Sequence, residues 1–488
     1  MKLRSAFALS LAFHLSAAPL VEKIPALIDG SPAARNAFWG IEIVDLATGK
    51  TLFSRNATHL FTPASNAKLF TAALALERLG PDFRFHTRVV SDAAPDAAGV
   101  IQGSIRLVGG GDPNLSARAV PYRKGAATGD PLVHLEGLAD QIAAHGVTRI
   151  EGNIIGDDTW YTWEPFPDGW SVDDTLYEYG APVSALTVND NILVVSVHPG
   201  TRPSELAILT IRPPVEFYQI DNRVRTVAVG GPRKIQLDRQ PSSRQLRLWG
   251  TLPVDGAAEA LELAVDDPAE YAARALRTAL EERGITVTGG VTVRHSFANE
   301  PPADADDSFE LARHDSTPLI DDLGITAKVS QNLHAELALR AVARARKGIG
   351  SRKAGIEELK TFLEEIGVES RAFSFGDGSG LDRSSLVTPS AVIQLLRRMY
   401  SSREREVWLA LLPVAGQDGT LSTRFAEGPA AGRIHAKTGS LSHVAALSGY
   451  AQRADGSWVA FSILVNNYNG PASEIRKVID RICTLILE

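Results

Sequence analysis

Two strand-like stretches stand at opposite ends of this 488-residue chain, and both carry the pattern of a single sheet. Near the front, "FWGIEIVDLATGKTLFSR" alternates apolar and polar residues on either side of Ala47-Thr48-Gly49. That is the pattern of a β-hairpin, with strands at Trp39–Asp45 and Lys50–Arg55. Near the back, "GRIHAKTGSLSHVAALSGYAQRADGSWVAFSILVNN" reads as three more strands, with turns near Leu441 and at Ala454-Asp455-Gly456. The last segment, Pro471 to Leu487, brings Ile475, Val478, Ile479, Ile482 and Ile486 onto one helical face. Two front strands and three back strands make one antiparallel sheet flanked by helices, an α+β arrangement in which the chain's ends share a domain.

The middle has a different texture. From about Phe83 to Phe309 there are many short strand candidates, among them "GSIRLVGG", "NILVVSVH", "LAILTIRP", "RQLRLWGTL" and "GITVTGGVTVRHS". Gly/Pro-rich turns separate them, and one helix stands out at Pro268–Arg283. This is the look of a mostly β insertion of one or two domains. "FANEPPADADDSF" (Phe297–Phe309), acidic and apolar-poor, reads as the return linker. Helices resume at Thr317–Leu323, Gln331–Arg346, Ala354–Ile366 and Pro389–Met399.

Composition narrows the function classes. At 44% apolar and 22% charged residues the chain has the makings of packed cores. A net charge of −7 with no long basic run gives no support to nucleic-acid binding. "MKLRSAFALSLAFHLSAAP" places Lys2 and Arg4 before an apolar run and small residues, the layout of a secretory signal peptide and too short for a membrane anchor. The expectation is export to the periplasm or the extracellular space. Cys483, the one cysteine, excludes an intrachain disulfide and lies among apolar neighbours. The 11 histidines show no paired spacing on a helix, so no metal or other cofactor is expected.

"TPASNAKLFTAALALERLG" carries the chemistry. Thr62 suits an N-cap and Pro63 the first helical position, which puts Ser65 in the first turn and Lys68 on the same face. A serine hydroxyl is a weak nucleophile until an adjacent base takes its proton, and a desolvated lysine can be that base. Alone, Ser-x-x-Lys is a common chance pattern. Two further stretches change its weight: "KVSQNLHAELALR", with Ser330 and Asn332 just before a helix, and "HAKTGSLSHVAALSGY", with Lys437-Thr438-Gly439 on a strand. A second Ser-x-Asn at Ser54-Arg55-Asn56 falls in the hairpin, out of order. The "GGG" in "LVGGGDPNL" is followed by neither Gly-x-Gly-x-x-Gly nor Gly-Lys-[Ser/Thr], so a phosphate cradle is unsupported.

Ser-x-x-Lys, Ser-x-Asn and Lys-Thr-Gly, in this order, are the signature of penicillin-recognising serine enzymes. The chain resembles the class C low-molecular-mass penicillin-binding proteins, the D-alanyl-D-alanine carboxypeptidase/endopeptidases of peptidoglycan metabolism. The likeness extends to "LVGGGDPNL", "GNIIGDDTW", "PDGWSVDD", "GDGSGLDR" and "LPVAGQDGTLSTR". It implies a β-lactamase/transpeptidase-like domain at 19–85 and 306–488 behind a leader at 1–18. One inserted domain would comprise 86–111 and 193–305, and a second 112–192. Gln331 stands where the family commonly has Asp, and Ser440 where Thr is common.

The resemblance also assigns roles. Ser65 would attack the carbonyl of the penultimate D-alanine with Lys68 as base, and backbone N–H groups of Ser65 and Ser440 would hold the oxyanion. Ser330 would relay the proton to the leaving amine and Asn332 would orient Lys68. Lys437 would supply positive charge, while Thr438, Gly439 and Ser440 would face the terminal carboxylate. Asp157 would meet the free amine of a diaminopimelate side chain, the plain alternative being a turn start. The implied partners are peptidoglycan stem peptides and β-lactam inhibitors, with self-association left open. The rival readings are a β-lactamase-type hydrolase, disfavoured by the lack of a Glu-x-x-Leu-Asn-like stretch, and a non-catalytic cell-wall scaffold.

Overall fold

The computed structural model describes residues 20–240, 243–298 and 308–488. The expected leader at 1–18 and most of the return linker lie outside the described residues.

The strands at the two ends of the chain do pair. They are β1 (Phe38–Asp45), β2 (Thr51–Arg55), β3 (Ile434–Leu441), β4 (Val444–Gln452) and β5 (Trp458–Asn466). They form one antiparallel sheet in the order β3-β4-β5-β1-β2. β1 closes it across the sequence, with Ile41 opposite Ile463 and Ile43 opposite Phe461. β4 and β5 are buried almost throughout, because helices cover both sides of the sheet.

These helices are α1 (Leu20–Asp29), α2 (Ala67–Leu79), α3 (Leu319–Lys328), α4 (Asn332–Lys347), α5 (Arg352–Glu365), α6 (Pro389–Tyr400), α7 (Arg405–Leu411) and α8 (Ala472–Ile486). Ile41, Ile43, Leu447, Phe461 and Ile463 share one core with Ile24 and Ile28 of α1 and with Ile475, Ile479 and Ile482 of α8. Cys483 is buried there too. Residues of the opposite face, Ala446, Tyr450, Ala460 and Leu464, pack with α2, α3, α4 and α6. The fold is the β-lactamase/transpeptidase-like α+β arrangement.

Within the inserted segment, strands from separate stretches of the chain share a sheet. One five-stranded sheet runs Val291–Ser296, Ile154–Thr162, Ile105–Val108, His86–Ser91, Phe309–Asp315. Its second strand comes from the segment 112–192 expected to stand apart, and its last from the segment expected to belong to the outer domain. Parallel pairing of Ile154–Thr162 with both neighbours explains this, since a parallel strand needs a crossover from elsewhere in the chain. The helix Val133–Ala144 was not foreseen; it supplies Leu135, Leu138 and Ile142 to the same core as Ala272 and Leu276 of the expected helix, Pro268–Glu282. Asp267 caps that helix by accepting from Glu270 N–H at 3.0 Å.

Candidate active site

Ser65 does not sit in an α-helical first turn. Residues Ala64–Asn66 form a 3₁₀ turn, and α2 begins only at Ala67. Thr62 is drawn elsewhere: its backbone N–H donates to Asn466 Oδ1 of β5 at 2.8 Å. The turn is pressed between two close neighbours. Ala64 is left-handed, with φ +48°. A Cβ on Gly380 would stand 1.9 Å from Ala64 O, and one on Gly439 of β3 2.7 Å from Pro63 O. Glycine is required at both positions because backbone fills the space. Asn66 fastens the turn to β3 by donating from Nδ2 to Lys437 O at 3.0 Å.

Lys68, one residue into α2, is 1% exposed and its Nζ meets three oxygens. They are Asn332 Oδ1 at 2.6 Å, Ser379 O at 2.7 Å and Ser65 Oγ at 2.9 Å. Asn332 cannot present its amide the other way round, because Nδ2 donates to Tyr179 O at 2.7 Å. Burial pushes the Lys68 ammonium down, Asp377 and Glu336 partly offset it, and the pKa lies at about 7. A neutral amine has two N–H bonds. Asn332 Oδ1 and Ser379 O, acceptors that carry no proton, take both, which leaves the lone pair for the Ser65 hydroxyl.

Lys437, also 1% exposed, lies 2.8 Å from Ser330 Oγ and donates to Thr438 O at 2.9 Å. Burial, then the charge of Lys68, hold it well below the usual lysine range. Ser330 itself is left-handed, at φ +67°. Thr438 Oγ1 pairs with Thr420 Oγ1 at 2.8 Å, and Ser440 is exposed at the edge of the sheet. Ser65, Lys68 and Asn332 are thus joined directly, Ser330 and Lys437 likewise, and Asn66 ties the two groups.

Asp157 is not among them. It lies within the strand Ile154–Thr162, not at a turn, and is buried. Its carboxylate accepts from Thr159 Oγ1 at 2.6 Å and lies 3.6 Å from Arg106 and 3.5 Å from Arg294. Those partners all belong to strands of the inserted sheet.

Several contributors had no assigned role in the sequence reading. Asp377 accepts from Ser379 Oγ at 2.8 Å, Gly380 N at 2.8 Å, Asp382 N at 2.9 Å and Trp170 Nε1 at 3.0 Å. Glu336 accepts from Gly378 N at 2.8 Å and Ser379 N at 2.9 Å and pairs with Arg340 at 3.0 Å. Together they shape the loop that offers Ser379 O to Lys68. "GDGSGLDR" signalled the loop; nothing near Glu336 signalled its partner.

A measurable consequence follows from the Lys68 environment. Because its folded pKa lies below the usual 10.5, the free base forms as pH rises through about 7. The acid limb of the rate of acylation by penicillin should therefore be centred near that pH. A rise centred near the ordinary lysine value would contradict this assignment.

A buried amine aimed at a half-buried serine, beside a second serine–lysine pair at the edge of an antiparallel sheet, defines a serine acyl-transfer enzyme of the penicillin-recognising fold. Comparison with known proteins narrows it: residues 20–485 match the D-Ala-D-Ala carboxypeptidase 3 (S13) family, and the chain belongs to that family. It is 37% identical over 464 residues to a D-alanyl-D-alanine carboxypeptidase of an Actinomadura species, covering 93% of this chain and 82% of that protein. It is 27% identical over 471 residues to D-alanyl-D-alanine carboxypeptidase DacB of Haemophilus influenzae, covering 95% and 90%. The solved structure of penicillin-binding protein 4 from that organism shares the fold, with a TM-score of 0.82, 23% identity and coverage of 95% and 99%.

Proposed function

We propose that this serine peptidase cleaves D-alanyl-D-alanine bonds in peptidoglycan stem peptides, as carboxypeptidase and endopeptidase, through an acyl-enzyme on Ser65. The observation that carries the reading is the set of three oxygens around Lys68 Nζ, which directs its lone pair at Ser65 Oγ. Lys68 takes the hydroxyl proton as Ser65 Oγ bonds to the carbonyl carbon of the penultimate D-alanine. The backbone N–H groups of Ser65 and Ser440 receive the oxyanion, a contribution of about 3–4 kcal/mol per donor in comparable sites. Ser330, held by Lys437, passes a proton to the departing amine as the C–N bond breaks and is itself reprotonated with the one Lys68 took, which leaves Lys68 neutral again, and Asn332 keeps Lys68 oriented. Thr438, Gly439 and Ser440 line the seat of the terminal carboxylate. Water then cleaves the ester and restores Ser65.

The domain division is proposed in the same terms, with both ends of the chain forming the catalytic unit and the inserted sheet a wall beside it. Tyr179, from the inserted segment, supports this by reaching Asn332. No described helix is long and apolar enough to cross a membrane. Export, signalled by the leader-like N-terminus, is part of the proposal, because the substrate lies outside the cytoplasmic membrane.

Digestion of purified cross-linked muropeptides, with products identified by mass, tests the reading. The expected products are stems shortened by one D-alanine and dimers split at the D-alanyl cross-link. Fluorescent penicillin should label the native protein durably. Rapid loss of label would favour the β-lactamase reading, and absence of label the scaffold.

A further inference from the structure

Behind the Ser330–Asn332 turn lies a buried charge cluster that the mechanism above does not use. His334, on the first turn of α4, is 0% exposed. Its Nδ1 lies 2.6 Å from Asp322 Oδ1 of α3, and its Nε2 lies 3.1 Å from Asp190 Oδ1. Asp190 belongs to the inserted segment, in a turn where Asn189, Asp190 and Asn191 all have positive φ, at +49°, +53° and +57°. Three consecutive left-handed non-glycine residues cost backbone energy, of order 1–3 kcal/mol each, and persist only where surrounding contacts hold them. Arg118 grips the Asp190 carboxylate from the side opposite His334. Gln331 Nε2 donates to Asp190 Oδ2 at 3.3 Å, while Gln331 Oε1 caps α4 by accepting from Leu333 N at 3.0 Å.

The middle residue of Ser-x-Asn is therefore a tie between the helix start and the insertion. Ser330 on one side of it holds a left-handed φ of +67° and reaches Lys437; Asn332 on the other reaches Lys68. Both active-site contacts hang from a turn whose anchor is Asp190 and whose anchor is in turn fixed by His334 and Arg118.

We propose that Asp190 and His334 are positioning residues for the acyl-transfer site: an imidazolium bridging Asp190 to Asp322 clamps the insertion to α3 and α4, and so fixes where Ser330 and Asn332 stand. The inference rests on the proposed roles of those two residues. Its charge state has a defined sign. Burial disfavours the charged ring, but Asp322 and Asp190 outweigh it and raise the His334 pKa to about 9. The groups that touch the ring are Asp322 from α3 and Asp190 from the insertion; Arg118 and the N-cap Gln331 bond to the far oxygen of Asp190, and the Asp112 carboxyl interacts with the ring's charge at longer range. A raised histidine pKa means the clamp is intact below about pH 9 and is lost as pH rises through that value.

The test is the second-order rate of acylation by fluorescent penicillin from pH 6 to 10.5, in the wild-type protein, His334→Gln and Asp190→Asn. The wild type should lose rate on an alkaline limb near pH 9. In Asp190→Asn the limb should move to lower pH, because the ring has lost one of its two anions. His334→Gln should remove that limb and lower the plateau by about 10- to 100-fold, the usual effect of misplacing reacting groups by an ångström. A limb owed to Lys437 would stay where it was in both variants, and that result overturns the proposal. As a check independent of variant folding, the wild-type His334 ring signal, followed by NMR with labelled histidine, should titrate together with the limb; titration near the ordinary histidine value overturns it as well. A wild-type protein that takes no label sinks the catalytic reading and this one with it, whereas durable labelling with an unmoved limb sinks this one alone.

Discussion

Ser65→Ala protein is expected to bind penicillin only reversibly, to form no acyl-enzyme, and to lose at least about 10⁴-fold in kcat on a stem peptide. Removing the hydroxyl removes the only atom that Lys68 Nζ faces with a proton to give; its other two contacts, Asn332 Oδ1 and Ser379 O, have none. Lys68→Arg should be almost as damaging despite keeping the charge. A guanidinium does not deprotonate in proteins and cannot present a lone pair. Denaturing gels after fluorescent labelling, with turnover measured on a diacetyl-lysyl-D-alanyl-D-alanine peptide, check both. Covalent label on Ser65→Ala would mean that another nucleophile does the work.

The second large effect is on stability. Glu336→Leu is expected to cost about 3–5 kcal/mol, read as a lower midpoint in urea unfolding. Glu336 and Arg340 are 0% and 1% exposed, so deleting the carboxylate strands a buried cation. It also orphans the Gly378 and Ser379 N–H groups that Glu336 accepts. Glu336→Gln separates shape from charge. It keeps one acceptor for the loop but withdraws a negative neighbour of Lys68, so the acylation limb should move below pH 7. An unchanged limb in Glu336→Gln would show that Asp377 alone offsets the burial of the lysine.

The extent to which the sequence announced this arrangement differs between its parts. The sheet from both ends was legible because strand periodicity and turn residues are local signals, and the three motifs were legible because each is a short fixed spacing. The conformation around Ser65 was not. Thr-Pro before an apolar run is the local signature of an α-helical cap, but Asn466 captures Thr62, Gly380 and Gly439 press on the backbone of Ala64 and Pro63, and Ala64 opens the 3₁₀ turn with a left-handed φ. Tertiary contact overrode propensity there. Glu336 and Asp377 were invisible for a related reason: a glutamate on a helix reads as solvated until a distant loop folds over it. The place of Ile154–Thr162 in the inserted sheet was not legible, because parallel pairing leaves no hairpin signal. The partners of Asp157, Thr159, Arg106 and Arg294, were not legible either, because they come from three different strands of the inserted sheet.

The cross-sequence seam between β1 and β5 has a consequence for biogenesis. Ile41 finds Ile463, and Lys437 finds the turn beside Ser65, only after nearly the whole polypeptide has been synthesised. A nascent chain therefore carries its nucleophile from the start yet cannot arm it, and closure of so long a loop makes folding slow. The newly made hydrolase stays inert until its last strands are delivered.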